Sequence, residues 1–290
     1  DVVRGTQARL ESNTTDAEAT SDSGLTAFNS DGFSLSTLAQ VNTSSATYAG
    51  WCWDAGSSTV TNTQGSITSS VRANASAGFS IVSYNGDNNA GDTVGHGLNA
   101  APELILIKNR DAAFTWYVYH SAVGATKYMR LDTVNAETTG SGAFNNTAPT
   151  SSVFSLGQDN AVNDGNKNYI AYCFAPVEGY SSFGSYVGNG SSDGPFVYTG
   201  HRNRFIMTKR TDGLAPWVMV DTARNTYNVM DNHLLANDSA VENGSTIGNI
   251  CDSLSNGFKV RGSDGWFNKS GANYLYVSFA EHPFKTARAK

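Results

Sequence analysis

Apolar and polar residues alternate along Phe79-Ser80-Ile81-Val82-Ser83-Tyr84, as in a strand with one face buried and one wet. Leu104 to Ile107 is a continuous apolar run bounded by Pro102 and Lys108, which predicts a strand buried on both faces. Trp116 to Tyr119 and Tyr169 to Phe174 are rich in aromatic and β-branched residues and read as further strands. Asn163-Asp164-Gly165, Ser192-Asp193-Gly194 and Ser263-Asp264-Gly265 supply turns between them. Apolar residues almost nowhere recur at helical spacing. Only Leu10 to Thr20, Lys127 to Asn135 and Leu234 to Asn237 leave room for a helical turn. Many short strands with Gly, Asn and Asp turns predict an all-β chain of antiparallel β-sandwiches.

The pattern also repeats. One half-module reads Phe33, Asn42, Tyr48 and Trp53, then Phe154, Asn163, Tyr169 and Phe174, then Phe258, Asn268, Tyr274 and Phe279. From Phe to Asn the gap is 9, 9 and 10 residues, and from Asn to Tyr it is 6 each time. A second half-module occurs twice, as Tyr84, Lys108, Asp111, Trp116 and His120, and as Tyr186, Lys209, Asp212, Trp217 and Asp221. Such fixed spacing predicts tandem units of about 100 residues: a partial unit at 1–56, a Ser/Thr/Asn-rich connector at 57–78, and complete units at 79–180 and 183–290, the last with a C-terminal tail. Phe33/Phe154/Phe258 and Trp53/Phe174/Phe279 are then expected in the cores. The first unit lacks the early strands of its siblings, so its open edge should be completed by chain upstream of Asp1 or by a neighbouring subunit. A chain opening on Asp1 rather than Met points the same way, to upstream sequence removed or processed.

Composition narrows the class. Charged residues make up 15%, Gly numbers 29, and 11% aromatics supply enough apolar area for real cores. The net charge of −6 is mild and the basic residues are scattered, so no nucleic-acid footprint is present. No apolar run approaches the length of a membrane span. Cys52, Cys173 and Cys251 have neither disulfide nor zinc spacing and read as small buried apolar residues.

Candidate chemistry is thin. The five histidines do not converge in sequence: His120 is replaced by Asp221 and Asp1 at matching places, and His96 and His201 fall in Gly-rich turns. No metalloprotease, zinc or serine-hydrolase motif occurs. Asp111 and Asp212 stand beside Lys108 and Lys209 at strand ends, where a salt bridge or turn bond accounts for them better than a glycosidase pair. Asp159 to Asn166 carries calcium-ligand chemistry without the EF-hand order, and a hairpin turn accounts for it. Asn-x-Ser/Thr triplets such as that at Asn74 match chance in so Asn- and Ser-rich a chain. Neither metal nor cofactor nor catalytic residue is expected. Aromatics unmatched between units, Tyr227, Trp266 and Phe267, are the candidates for surface recognition.

The run Tyr169-Ile170-Ala171-Tyr172-Cys173-Phe174-Ala175-Pro176, continuing to Gly190, resembles a family of repetitive tail-fibre-like virion proteins of marine and cyanobacterial phages. Thr147 to Leu156 and Ser278 to Phe284 share that resemblance. It implies a virion structural protein, assembled in the host cytoplasm, without catalytic residues and in contact with other virion proteins and a host surface glycan or protein. A homo-oligomer, a trimer above all, is the expected assembly. The competing reading is a lectin-like carbohydrate-binding protein or a polysaccharide depolymerase.

Overall fold

The protein is described by a computed structural model covering residues 1–242 and 248–282. Residues 1–56 carry β1 (Ala8–Arg9), β2 (Ala19–Thr20), β3 (Leu25–Phe28), β4 (Phe33–Leu35) and the helical turn α1 (Ala39–Asn42). Then come β5 (Thr59–Asn62) and β6 (Ser69–Asn74). The next stretch holds β7 (Phe79–Asn85), β8 (Thr93–Gly95), β9 (Leu104–Asn109), β10 (Tyr117–His120), β11 (Lys127–Arg130), β12 (Thr138–Thr139), β13 (Val153–Ser155), α2 (Asn160–Asn163) and β14 (Asn168–Phe174). The last holds β15 (Ser181–Val187), β16 (Phe196–Tyr198), β17 (Asn203–Arg210), β18 (Val218–Asp221), β19 (Leu234–Leu235), β20 (Cys251–Leu254), β21 (Gly257–Val260) and β22 (Asn273–Ala280). The fold is all-β, and among the described residues every pairing between these strands is antiparallel.

Two main sheets share one strand order. In an eight-stranded sheet β7, β14, β9, β10 and β11 lie side by side, and β15, β22, β17, β18 and β19 do the same in a five-stranded sheet. Register matches too: Tyr169 opposes Tyr84 as Tyr274 opposes Tyr186. Each of these Tyr pairs stacks, with ring centroids 5.1 and 5.0 Å apart and planes 12° and 11° apart. A smaller layer covers one face of each sheet, β8 with β13 in one case and β16, β21 and β20 in the other. Phe154 and Phe258 sit in the two resulting cores, fully buried against Tyr84 and Tyr186.

A third apolar cluster is shared by the whole chain. It gathers Phe79, Leu104, Trp116, Val118 and Phe174 of the middle stretch with Phe205, Trp217, Val277 and Phe279 of the last, and Val2, Leu10, Trp51 and Trp53 of the first pack against it. At its centre Trp53, Phe174 and Phe279 form a triangle with centroid separations of 6.0, 5.4 and 5.7 Å. Burying each such ring contributes about 1.5–3 kcal/mol, and edge-to-face pairs add up to ~1.5 kcal/mol each.

Several expectations change. Residues 59–74, read as a connector, form a hairpin that pairs with β7 and widens the larger sheet. The helical turns fall at 39–42 and 160–163, not at the places read for them, where β2, β11 and β19 lie instead. Asp159, read in a hairpin, caps α2 by accepting from the Ala161 N–H. Phe33 is 43% exposed, unlike Phe154 and Phe258, because no sheet covers its layer. Cys52 is exposed, while Cys173 and Cys251 are buried as expected. The tail beyond 282, including Pro283 and Phe284, lies outside the described residues.

Candidate functional site

Two buried lysines sit where one stretch meets the next. Lys108 and Lys209 point into the interior, not toward the acidic residues beside them. The Lys108 amine donates to the carbonyls of Asn109 at 2.7 Å and Thr15 at 3.1 Å. The Lys209 amine donates to Arg210 at 2.9 Å and Val134 at 3.2 Å. Thr15 and Val134 each belong to the preceding stretch, so both lysines tie neighbours together. Burial pushes the pKa of each down to about 8. The nearby tryptophans follow suit: Trp116 Nε1 donates to the Glu11 carbonyl at 2.9 Å and Trp217 Nε1 to that of Arg130 at 2.8 Å. Asp111 and Asp212 instead accept from the N–H of Asn168 and Asn273, at 2.7 and 3.1 Å, closing the strand ends.

Position 1 repeats position 221 atom for atom. Asp1 Oδ1 accepts from Val3 and Arg4 N–H at 3.0 and 3.1 Å, and its Oδ2 pairs with Arg4 at 2.6 Å. Asp221 Oδ1 accepts from Ala223 and Arg224 N–H, each at 3.0 Å, and its Oδ2 pairs with Arg224 at 2.7 Å. Arg4 continues to Glu18 and the Tyr172 hydroxyl, while Arg224 continues to Glu242 and lies over the Trp51 ring. Burial opposes ionisation of Glu18, but hydrogen bonds from Arg110 and Arg4 outweigh it and hold the carboxyl below its usual range. The contacts close a circuit: first stretch to middle through Arg4 and Lys108, middle to last through Trp217, and last to first through Arg224 and through Ser12 Oγ, which donates to the Ala236 carbonyl at 2.7 Å.

Four of the histidines, His96, His120, His201 and His233, are buried in the fold. His120 is buried with Nε2 3.1 Å from the Tyr276 carbonyl, and burial pushes its pKa down to about 4. His201 Nε2 lies 2.9 Å from Ser278 Oγ, whose hydroxyl donates to Asn203 Oδ1. That Ser–His pair is sealed inside the last stretch, with Ser278 fully buried and His201 also pushed down to about 4 by burial. A nucleophile needs substrate access, which this pair lacks. His96 bonds the Thr150 carbonyl, and His233 rests edge-on against Trp266 with centroids 6.3 Å apart. Among the described residues no group of three or more His, Cys, Asp and Glu is arranged to hold a metal.

The three aromatics expected at the surface separate. Tyr227 is 85% exposed. Trp266 is half-buried against the core of the last stretch. Phe267 is a core residue, fully buried, and its carbonyl accepts from Tyr186 Oη at 2.8 Å; this corrects its reading as a recognition ring. Sequence reasoning missed two exposed rings on one face of β16, Phe196 and Tyr198.

One concave surface lies in the first stretch. A groove of about 240 Å³ opens between residues 1–10 and the β3–β4–α1 layer, lined by Asp1, Arg9, Leu10, Leu25, Leu38 and Val41. Beside it Phe28, Phe33, Leu35 and Tyr48 are exposed. Arg9 Nε and Nη1 are shut off from solvent with no hydrogen-bond partner, a costly state for a guanidinium.

Over residues 1–283 the chain matches the family described as Domain of unknown function (DUF7483), and it belongs to that family. Neither the curated proteins nor the solved structures return a match.

Proposed function

We propose that the chain is a structural, non-catalytic component of a bacteriophage particle, part of a tail fibre or other surface appendage that contributes to host attachment. In this reading it consists of tandem β-sandwich units of one type, about 100 residues each, the first represented by its second half alone. The observation that carries it is the Trp53–Phe174–Phe279 triangle, where three positions with matching sequence spacing meet in one cluster. The buried lysines and indoles support it, because each is spent on joining neighbours and none lines a cleft. A scaffold needs such rigid junctions, whereas an enzyme needs an accessible constellation of acid, base or nucleophile. The phage setting rests on the sequence resemblance.

Host contact in this reading falls to exposed rings, Tyr227 and the pair Phe196 and Tyr198, since an aromatic face suits the apolar face of a sugar. A homotrimer multiplies such weak contacts through high effective concentration. The test is labelling of intact particles with an antibody against residues 79–180. Label on a fibre or other appendage is the expected result, and label absent from purified particles overturns it. Release of oligosaccharides from host capsule by the purified chain would instead favour the depolymerase. Sedimentation at micromolar concentration tests assembly, with a single monomeric species overturning the trimer.

A further inference from the structure

We infer that the open face of the first unit is an acceptor for a strand-bearing polypeptide segment with the side-chain pattern of residues 181–220, whose last strand ends beside Asp1. The inference rests on the reading of the chain as repeated units and deepens it by naming the partner's chemistry.

The acceptor half is already built like its siblings. Tyr48 Oη donates to the Ala39 carbonyl at 3.0 Å and accepts from Thr43 N–H at 2.7 Å. Tyr169 does this with Asn160 and Asp164, both at 2.7 Å, and Tyr274 with Gly265 and Lys269, both at 2.8 Å. Asn42 Nδ2 donates to the Ser36 carbonyl at 2.6 Å, as Asn163 does to Gly157 and Asn268 to Gly262. Only the occupant differs. Tyr169 is covered by Tyr84 and Tyr274 by Tyr186, while Tyr48 is 51% exposed. Asn163 Oδ1 accepts from Asp87 N–H at 3.0 Å and Asn268 Oδ1 from Asn189 N–H at 2.9 Å, and among the described residues Asn42 Oδ1 has no such donor. The carbonyls of Val162 and Phe267 accept from Tyr84 and Tyr186 hydroxyls, and the matching residue, Val41, lines the groove.

These vacancies specify the partner. It supplies a tyrosine to stack on Tyr48 and reach the Val41 carbonyl, and a following backbone N–H for Asn42. It also supplies an apolar strand to cover Phe33 and Leu35 and pair with the chain near Tyr48. Its type follows from Asp1, which shares with Asp221 the same bonds to an arginine three residues on, whereas the middle unit has His120 there. Residues 181–220, which lead into Asp221, are therefore the template.

The experiment joins a second copy of residues 181–220 directly before Asp1 of the full 290-residue chain and follows amide hydrogen exchange over residues 33–53. Protection there is expected to rise at least tenfold, toward that of the matching residues 154–174 and 258–279 in the same molecule. A scrambled segment of equal composition should give no rise. Unchanged exchange over 33–53, or an equal rise with the scrambled segment, overturns the inference. Fast exchange at 154–174 and 258–279 in the unextended chain would instead show that the repeat reading itself has failed.

Discussion

Replacing Lys209 by Met should make the stability gap between the two proteins depend on pH. Lys209 is fully buried, and burial pushes its pKa down to about 8, whereas an unfolded lysine titrates near ~10.4. The folded pKa is depressed, so between these values the unfolded chain holds more protons. Stability therefore rises with pH across that window and is lost again as pH falls through about 8. Integrating one such site from pH 7 to pH 9.5 gives a gain of about 2 kcal/mol. Methionine keeps an unbranched stem of similar reach and removes the titration. The Val134 carbonyl that loses the amine keeps its bond from Ala215 N–H at 3.0 Å, so the substitution leaves that acceptor satisfied. The unfolding free energy of the parent minus that of Lys209→Met should thus grow by about 2 kcal/mol over the range. The buried thiols and phenols titrate in both proteins and cancel in the difference. Urea unfolding followed by tryptophan fluorescence at half-unit pH steps measures it. A difference that stays flat with pH would refute the argument that this amine is charged at a cost inside the junction. Lys108→Met should run parallel, since burial brings Lys108 to about 8 as well.

Phe279→Ala should cost about 3–5 kcal/mol by urea unfolding, against under ~1 kcal/mol for Phe33→Ala, because only the first ring is buried; equal costs would defeat the assignment of the shared cluster. Glu18→Gln should cost ~3 kcal/mol, near the lower end for breaking a buried ion pair, since it strips Arg110 of its carboxylate and leaves Arg4 with Asp1 alone. Because the folded Glu18 carboxyl is held below its usual range, its contribution is present above the unfolded value and should fade as pH falls through the folded one, so the parent and variant converge in acid. A thiol reagent should label exposed Cys52 in the native protein and leave Cys173 and Cys251 untouched until urea is added, since burial raises both thiols' pKa well above the ordinary value. Mass spectrometry of the labelled peptides reads this directly, and native labelling of Cys173 would contradict it.

The central strands of the two main sheets were legible because period and turn chemistry agree with burial there. Phe79–Asn85, Leu104–Asn109 and Asn168–Phe174 fall where alternation and apolar runs put them. The helical turns were not legible, since four residues are too few to express a 3.6-residue period. Asp159 gave the one local cue, a capping carboxylate before α2. Phe267 was misread although its signal was present: it immediately precedes Asn268, as Val162 precedes Asn163 and Val41 precedes Asn42. Val162 and Phe267, at that shared spacing, are both buried in a core. The lysine clamps escaped for a different reason. Spacing ties Lys108 to Asp111 along the chain, but the carbonyl of Thr15 is brought to the amine only by the packing of separate stretches.

How the stretches pack was itself written in strand parity. Along β14, Tyr169, Ala171 and Cys173 face the core beneath the smaller layer, while Ile170 and Phe174 face the shared cluster, with Tyr172 packed against it. Along β22, Tyr274 and Tyr276 face their own core, and Leu275, Val277 and Phe279 face the shared cluster. Side chains on a strand alternate between faces, so an almost unbroken apolar and aromatic run declares that both faces are covered. A sandwich covers only one. The second face of each central strand must therefore meet something else, and the strands that turn such faces toward one another satisfy the demand mutually. A linear row of the sheets would leave the outward faces at its ends wet, at a cost of about 25 cal/mol for each Å² of apolar surface left in water. Closing the circuit through Trp51, Trp53 and Phe205 removes that exposure, with centroid separations of 5.3 Å for Trp51–Phe205 and 6.0 Å for Trp53–Phe205. The same reasoning explains why the first stretch is buried along its inner side and bare along its outer one. Its contacts with the shared cluster come from Trp51, Trp53 and Leu10, which are present, whereas the cover for Phe33 and Tyr48 would come from early strands that residues 1–56 do not include.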